Sequence, residues 1–139
     1  MTSGCASSTG PELGLTAENK LSRCPSSPNC VCSDATDEDH SIAPLAMSGS
    51  PEDAWQALMS YVEAQPRYKI KVLADDYLRV ESRTRLLRFV DDVEFHFRPA
   101  AGEIAMRSAS RVGYSDLGTN RRRLESIRDA LAQAGVVKQ

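Results

Sequence analysis

Residues 88–98 read R-F-V-D-D-V-E-F-H-F-R, and this stretch decides the fold because the character of its side chains alternates. Alternation of this kind predicts a β-strand, whose side chains point to the two faces of a sheet in turn. One face is mostly apolar and comprises Phe89, Asp91, Val93, Phe95 and Phe97. The opposite face is mostly charged and comprises Arg88, Val90, Asp92, Glu94 and His96. We therefore expect the first face to pack on a core and the second to face solvent.

Three more segments near this strand alternate in the same way. They are residues 68–73, 77–84 and 104–109. The short connections between them require antiparallel neighbours. A first amphipathic helix is predicted from Ser50 to before Pro66, and a second from about Gly118 to Ala134. The sequence therefore predicts an α+β two-layer domain, in which a four-stranded antiparallel meander sheet is covered on one face by two helices.

The chain before the first helix divides into two parts. Residues 1–22 are small, polar and aperiodic, which predicts a flexible tether, and residues 23–137 form the single predicted domain. Within this domain, residues 23–50 contain three cysteines and an acidic run, so we expect an irregular segment with local cross-links. No stretch of the chain approaches the roughly 20 apolar residues of a membrane span.

The first eight residues, M-T-S-G-C-A-S-S, are typical of the end of a bacterial lipoprotein signal, although Thr2 departs from that pattern. On this interpretation Cys5 is lipidated and anchors the chain to the membrane at the periplasmic side of the cell envelope. The alternative is an ordinary cysteine in a loose terminus of a cytoplasmic protein.

The charge of the chain limits its partners. A formal net charge of −2 argues against a nucleic-acid binder. Residues 67–139 nevertheless carry fifteen basic and ten acidic side chains, which predicts a basic face for a small anionic ligand or an envelope protein. The alternative is that the acidic first half lies across the basic second half. We expect no cofactor.

The start of the second helix is a candidate ligand site. Arg121, Arg122 and Arg123 stand in its first turn, where the helix dipole disfavours cations and favours a bound anion. The predicted ligand-binding residues are Arg107, Arg111, Asn120, Arg121 and Arg122. The alternative is that Asp116 and the acids of the strands supply the counter-charge internally.

Asp91 is an exception on the apolar face, because a carboxylate there needs a partner. We expect it to accept hydrogen bonds from Arg107, Arg111 or Arg121, or from backbone N–H groups of the turn at 113–118. The charged residues of the opposite face are expected to balance one another in solvent, with His96 an exposed strand residue.

An acid–base enzyme is the alternative function. It would be of a hydrolase or transferase type, with Asp92 or Glu94 as the acid–base group and Arg107 and Arg111 stabilising an anion. The candidate catalytic residues are Asp91, Asp92, Glu94, Arg107, Arg111 and Asp116. Asp91 and Asp92 are neighbours in a strand, so they face opposite sides. The chain contains no G-x-S-x-G, P-loop or H-E-x-x-H motif to fix a reaction.

The cysteine segment favours a disulfide. Cys24 and Cys30 enclose five residues that include two prolines, and an envelope compartment would oxidise the pair. With Cys5 lipidated, Cys32 is then left as the odd thiol. Free thiols are one alternative. A zinc site is another, built from Cys24, Cys30, Cys32 and His40, although that spacing matches no standard zinc motif. We predict no metal.

Four motifs in order resemble one known family. They are C-P-S-S-P-N-C-V (24–31), D-x-x-H-x-I-x-P-L (37–45), R-F-V-D-D-V-E-F (88–95) and R-S-A-S-R-V-G-Y-S-D-L-G-T-N-R-R-R (107–123). Together they resemble the family called domain of unknown function 1499, which occurs in bacterial envelopes and in plastid-bearing eukaryotes. The resemblance covers Arg23 to Leu131, and the family carries no established activity. Cys32 departs from the family pattern, in which serine is expected.

Overall fold

The computed structural model describes residues 13–85, 89–113 and 116–139 of the chain. Its elements are, in chain order, β1 (Cys30–Cys32), β2 (Leu45–Ala46), α1 (Pro51–Ala64), β3 (Tyr68–Leu73), β4 (Tyr77–Arg83), β5 (Val90–Arg98), β6 (Glu103–Ser110) and α2 (Thr119–Gln133). The antiparallel sheet has the order β1-β6-β5-β4-β3, and β2 also pairs with β6. The predicted α+β fold is confirmed, including the meander β3 to β6 and the two helices packed against the sheet.

The sheet has more strands than the sequence predicted. The segment 23–50, which was expected to be irregular, adds β1 and β2 to the two ends of β6. In β1, Cys30 lies opposite Ala109 and Cys32 opposite Arg107. Strands of three and two residues are too short to show an alternation of their own, so this pairing left no periodic signal.

Both helices pack on the face that carries Val93, Phe95 and Phe97. Helix α1 begins where Ser50 accepts a hydrogen bond from the Asp53 backbone N–H, 3.3 Å away, and Pro51 occupies its first turn. Trp55 of α1 stacks on Phe97, with 5.0 Å between ring centroids. The rest of this core is supplied by residues such as Leu58, Leu78, Ile104, Leu124 and Ile127.

The charged face of the sheet is buried, and the prediction of a solvated face is wrong there. Its residues Asp92, Glu94, His96 and Arg107 are all almost inaccessible to solvent. Residues 13–35 contact this face and form a second small core that includes Leu21, Cys32, Tyr77 and Ala105. Charged side chains tolerate such burial only when they are paired, and the pairs are present.

The first part of the chain bends back on the domain before β1. Leu15 and Leu21 form a β-bridge, and Leu21 and Ser22 are buried. The predicted tether stays a prediction for residues 1–12, which with Cys5 lie outside the described residues. Within the described ranges, no helix has the length and apolar character needed to cross a bilayer.

Candidate functional site

A buried polar cluster lies where α2 begins over the end of β6. It consists of Asp91, Ser108, Asn120 and Arg123. Arg123 donates from Nη2 to Asp91 Oδ2 at 2.8 Å, and from Nη1 to Ser108 Oγ at 3.0 Å and Asn120 Oδ1 at 2.8 Å. Ser108 Oγ in turn donates to Asn120 Oδ1 at 2.6 Å. Asp91 thus has the guanidinium partner that its position demands, but the partner is Arg123, so the predicted partners Arg107, Arg111 and Arg121 are wrong.

Asn120 connects this cluster to the cysteine segment. Its Nδ2 donates to the Asn29 carbonyl at 3.1 Å, to Ser110 Oγ at 2.9 Å and to Asp116 Oδ2 at 2.6 Å. Asn29 also donates from Nδ2 to the Gly113 carbonyl at 2.7 Å. The loop between Cys24 and Cys30 is therefore bound both to Gly113, just after β6, and to Asn120, at the start of α2. Sequence reasoning missed Asn29, because the hydrogen bonds join residues more than 80 positions apart.

Asp116 caps α2. Its carboxylate accepts from the backbone N–H groups of Gly118 at 2.9 Å and of Asn120 at 3.0 Å. Burial opposes ionisation of Asp116, but the hydrogen bonds from Asn120 and Gly118 outweigh it and hold the pKa of this carboxyl below its ordinary value. The negative charge at the helix start is therefore part of the protein itself.

The arginines of the predicted anion site do not come together. Arg121 donates to the backbone carbonyls of Ser41 at 2.8 Å and Asp39 at 3.2 Å, and Arg122 donates to the Leu117 carbonyl at 2.8 Å. Arg107 and Arg111 instead bind acids on the opposite sheet face. Their guanidinium groups are used inside the fold, which matches the alternative of internal counter-charge.

Glu94 is the centre of the buried charged face. It accepts from Arg107 Nη1 at 3.1 Å, from the Tyr77 hydroxyl at 2.5 Å and from the Gly14 backbone N–H at 2.7 Å. Burial and the Glu94 carboxylate together raise the pKa of Tyr77. Arg107 also donates to the Arg23 carbonyl at 3.3 Å, while its Nε is a buried polar atom without a partner in the described residues. A carboxylate so enclosed holds residues 14–23 against the sheet.

Asp92, like Glu94, is held by an arginine. Arg111 forms a two-point contact with it, through Nε and Nη2 at 2.8 Å each, and Nη2 also donates to Glu81 at 2.8 Å. A general acid or base must reach a proton of the substrate. The structure places Asp92 and Glu94 in ion pairs with their oxygens occupied, and it separates Asp91, which lies on the helix side, from both. The arrangement favours a structural role for these candidate catalytic residues.

Arg98 closes the same face near its other end. It makes a two-point contact with Asp34, at 2.6 and 2.9 Å, and donates from Nε to His96 Nδ1 at 3.0 Å. Burial and the neighbouring Arg98 cation lower the pKa of His96. Burial opposes ionisation of Asp34, yet hydrogen bonds from Arg98 and the Leu21 backbone lower its pKa. The expectation that His96 is exposed is wrong.

His40 stabilises the cysteine loop. Its Nδ1 lies 2.5 Å from Asp37 Oδ2 and its Nε2 lies 2.8 Å from the Ser27 carbonyl. Both partners are acceptors, so the ring binds best with two protons. The Ser27 carbonyl and the Asp37 carboxylate therefore raise the pKa of His40.

The predicted disulfide between Cys24 and Cys30 is confirmed, with 5.7 Å between the Cα atoms. The zinc alternative is wrong, because two of its four ligands are bonded to each other and His40 is held by Asp37. Across the described residues, no three His, Cys, Asp or Glu side chains gather as a metal site requires. Cys32 is a free, buried thiol beside a cavity of about 300 Å³, and burial raises its pKa.

An open cavity lies over the polar cluster, between the ends of β4, β5 and β6 and the start of α2. We call it the α2 cavity; its volume is about 500 Å³. Its lining comprises Thr84, Arg85, Phe89, Asp91, Ser110, Val112, Gly113, Asp116, Leu117 and Thr119. Sequence reasoning found Asp91 and Asp116 and missed the apolar residues. Phe89 was placed on the apolar face, but nothing in the sequence showed that this end of the strand extends past the helices.

A second cavity adjoins the first. We call it the basic cavity; its volume is about 390 Å³, and it shares Thr84 and Arg85 with the α2 cavity. Its other lining residues are Pro66, Arg67, Tyr68, Lys69, Glu81 and Arg83. The backbone N–H of Arg83 donates to the Arg67 carbonyl at 3.0 Å, which fixes these two residues side by side at the edge of the sheet. Sequence reasoning did not single out any of these cations as ligand-binding residues.

The fold and its sites define a small α+β domain with one disulfide, buried networks of ion pairs and an open cavity at the start of its second helix. The family model described as "Protein of unknown function (DUF1499)" matches residues 20–131. The chain belongs to this DUF1499 family, as its four motifs indicated. No curated protein and no solved structure matches the chain.

Proposed function

We propose that the protein is an envelope-anchored binding domain, and that the α2 cavity is its ligand site. The observation that carries this proposal is a group of large apolar side chains exposed around one cavity. Phe89 is 45% exposed, Val112 52% and Leu117 84%. Single exposed apolar residues are ordinary, whereas several around one concave opening are typical of an interaction site. The cavity volume also lies within the range of about 300–1,000 Å³ of small-molecule sites.

The floor of the cavity is suited to a preformed site. Asp91 and Asp116 line it, and both are held in place, the first by Arg123 and the second by the N–H groups of α2. Leu117 at the rim adopts φ 54°, a left-handed conformation that is strained for leucine. Strain of this kind persists where the surroundings impose it, and it is concentrated at functional sites.

A titration with a neutral apolar probe tests the binding site. Decanol is added to the ¹⁵N-labelled protein, and we expect amide shifts to centre on Phe89 and Val112. Leu117→Asp should weaken binding at least tenfold, because it places a charge in the apolar mouth. Leu73→Asp is the matched control, since Leu73 is 55% exposed and lies outside both cavities. Equal effects of the two substitutions, or shifts spread over the whole surface, would remove the α2 cavity as the site.

The anchor is tested separately in a Gram-negative host that expresses the chain behind a lipoprotein signal joined at Cys5. We expect the protein in the membrane fraction with its lipid on Cys5, and Cys5→Ser in the soluble periplasmic fraction. The disulfide between Cys24 and Cys30 supports an oxidising compartment. Membrane attachment that survives Cys5→Ser would contradict lipidation as the anchor.

A further inference from the structure

We propose that the ligand of the α2 cavity is an anionic amphiphile with a single apolar chain, and that the basic cavity binds its acid group. This inference rests on the proposed function and adds the chemical class of the ligand. It assigns the apolar chain to the space beside Phe89, Val112 and Leu117. It assigns the carboxylate to the cations around Arg83.

Continuity of the two cavities is the first support. Thr84 and Arg85 line both, so the apolar space and the basic space meet at the end of β4. A molecule lying across this junction would touch an apolar wall with one end and a set of cations with the other. Ligands that combine an apolar body with a few oriented polar contacts are the usual occupants of such a site.

Uncompensated charge is the second support. The basic cavity is lined by Arg67, Lys69, Arg83 and Arg85, against the single acid Glu81. The Glu81 carboxylate accepts from Arg111 at 2.8 Å. Within residues 13–85, 89–113 and 116–139, none of the four cations lies in an ion pair, whereas Arg79, Arg98, Arg107, Arg111, Arg123 and Arg128 all do. These four cations are therefore available to a ligand.

The acids of the α2 cavity do not cancel the positive charge of the basic cavity. Asp91 faces the guanidinium of Arg123, and Asp116 is satisfied by the start of α2. Both negative charges are compensated within the fold, so the remaining field at the junction is that of Arg85 and its basic neighbours. A carboxylate complements that field and a cationic head group does not.

A probe series with one chain and different head groups tests the inference. Decanoate, decanol and decyltrimethylammonium are titrated as monomers at pH 7.5 by calorimetry. We expect decanoate to bind at least tenfold more tightly than decanol, and the cationic probe to bind most weakly. Lengthening the carboxylate from eight to ten carbons should tighten binding about fourfold for each methylene, until the cavity is filled.

Arg83→Gln should weaken decanoate binding about fivefold and leave decanol binding unchanged, because only the head group loses a cation. Arg83→Gln with Arg85→Gln should weaken it further, and added salt should reduce the preference for decanoate. Arg23→Gln is the control, since it removes an exposed arginine outside both cavities.

The possible outcomes separate the two proposals. Equal binding of decanoate and decanol, lost in both cases with Leu117→Asp, would overturn the anionic head group and leave the binding site standing. Absence of binding by every probe would overturn both. Binding to vesicles that contain phosphatidylglycerol, without binding of monomeric decanoate, would assign the surface to a membrane and overturn the inference.

Discussion

Removal of the Asp91 carboxylate should destabilise the protein by about 3 kcal/mol. Asp91 is 2% exposed and lies 2.8 Å from Arg123 Nη2. Breaking one partner of a buried ion pair costs about 3–5 kcal/mol, because the other charge is left buried without compensation. Arg123 keeps its hydrogen bonds to Ser108 and Asn120, so we expect Asp91→Ala at the lower end of that range.

The assay is urea denaturation at pH 7 under non-reducing conditions, followed by the fluorescence of Trp55. This residue is the only tryptophan of the chain and is buried against Phe97, so its emission reports the core. With a slope of about 2 kcal/mol per molar urea, a loss of about 3 kcal/mol moves the midpoint by about 1.5 M. The double variant Asp91→Ala with Arg123→Met should lose about 2 kcal/mol less than the sum of the single losses.

Glu125→Ala is the matched control. Its ion pair with Arg128 has the same N–O distance of 2.8 Å, but the Glu125 side chain is 47% exposed. Exposed pairs contribute less than about 1 kcal/mol, so its midpoint should move by less than about 0.5 M. Similar midpoint shifts for Asp91→Ala and Glu125→Ala, or strict additivity of Asp91→Ala and Arg123→Met, would refute the view that burial gives the Asp91 pair its strength.

Three other predictions concern pH, the free thiol and the rim of the cavity. The pKa of His40 in the folded protein is raised above its ordinary 6.5. The stability that protonated His40 contributes is therefore fully present below pH 6.5 and is lost as the pH rises through the pKa of the folded state. In thermal melts from pH 6 to 9, His40→Gln should lose less stability than the native chain. Burial raises the pKa of Cys32, so in a Cys5→Ser background a thiol-specific disulfide reagent should react slowly with the native protein and with one equivalent in urea. Leu117→Gly should relieve the strain at φ 54° and raise the free energy of unfolding by up to about 1 kcal/mol, while binding of decanol falls; a loss of stability would contradict it.

The strands of the meander could be predicted because the alternation of apolar and polar side chains is visible within each short segment of sequence. Each alternates over six to nine residues, and the antiparallel register follows from the short turns. The ends of α1 could be predicted for the same reason, since Ser50 and Pro51 stand together at its start and Pro66 follows its C-cap Gln65 directly. The disulfide was accessible from the spacing of Cys24 and Cys30 together with an assumed compartment.

The burial of the charged sheet face could not be predicted, because the segment that covers it has no hydrophobic periodicity of its own. Residues 13–35 are mostly small and polar. They are held by isolated long-range contacts, such as Gly14 with Glu94 and Asp34 with Arg98, which join residues 80 and 64 positions apart. Alternation shows that a face is charged, but not whether solvent or chain lies over it. The charges balance across the sheet as expected, although they do so in a buried environment.

The need of Asp91 for a partner was predictable, and the identity of that partner was less so. The apolar neighbours of Asp91 required a partner, which was expected to be Arg107, Arg111 or Arg121, or backbone N–H groups of the turn at 113–118. Three arginines, Arg121, Arg122 and Arg123, stand together near the start of α2. Which one points inward depends on the rotation of α2 about its axis, and that rotation is set by the packing of Leu124 and Ile127 on the core. Arg123 faces the sheet as a result, whereas Arg121 binds the Ser41 and Asp39 carbonyls and Arg122 is exposed.

The four motifs of the family therefore share one physical task in this chain. Asn29 of the first motif binds Asn120 of the last, and Asp91 of the third binds Arg123 of the last. The second motif supports the first through His40 and the Ser27 carbonyl. These contacts fix the floor of the α2 cavity, whereas its apolar rim is exposed and contributes little to the core. Substitutions in the floor should then reduce stability and binding together, whereas substitutions at Val112 or Leu117 should reduce binding without a loss of stability, a separation that a domain built only as a scaffold would not show.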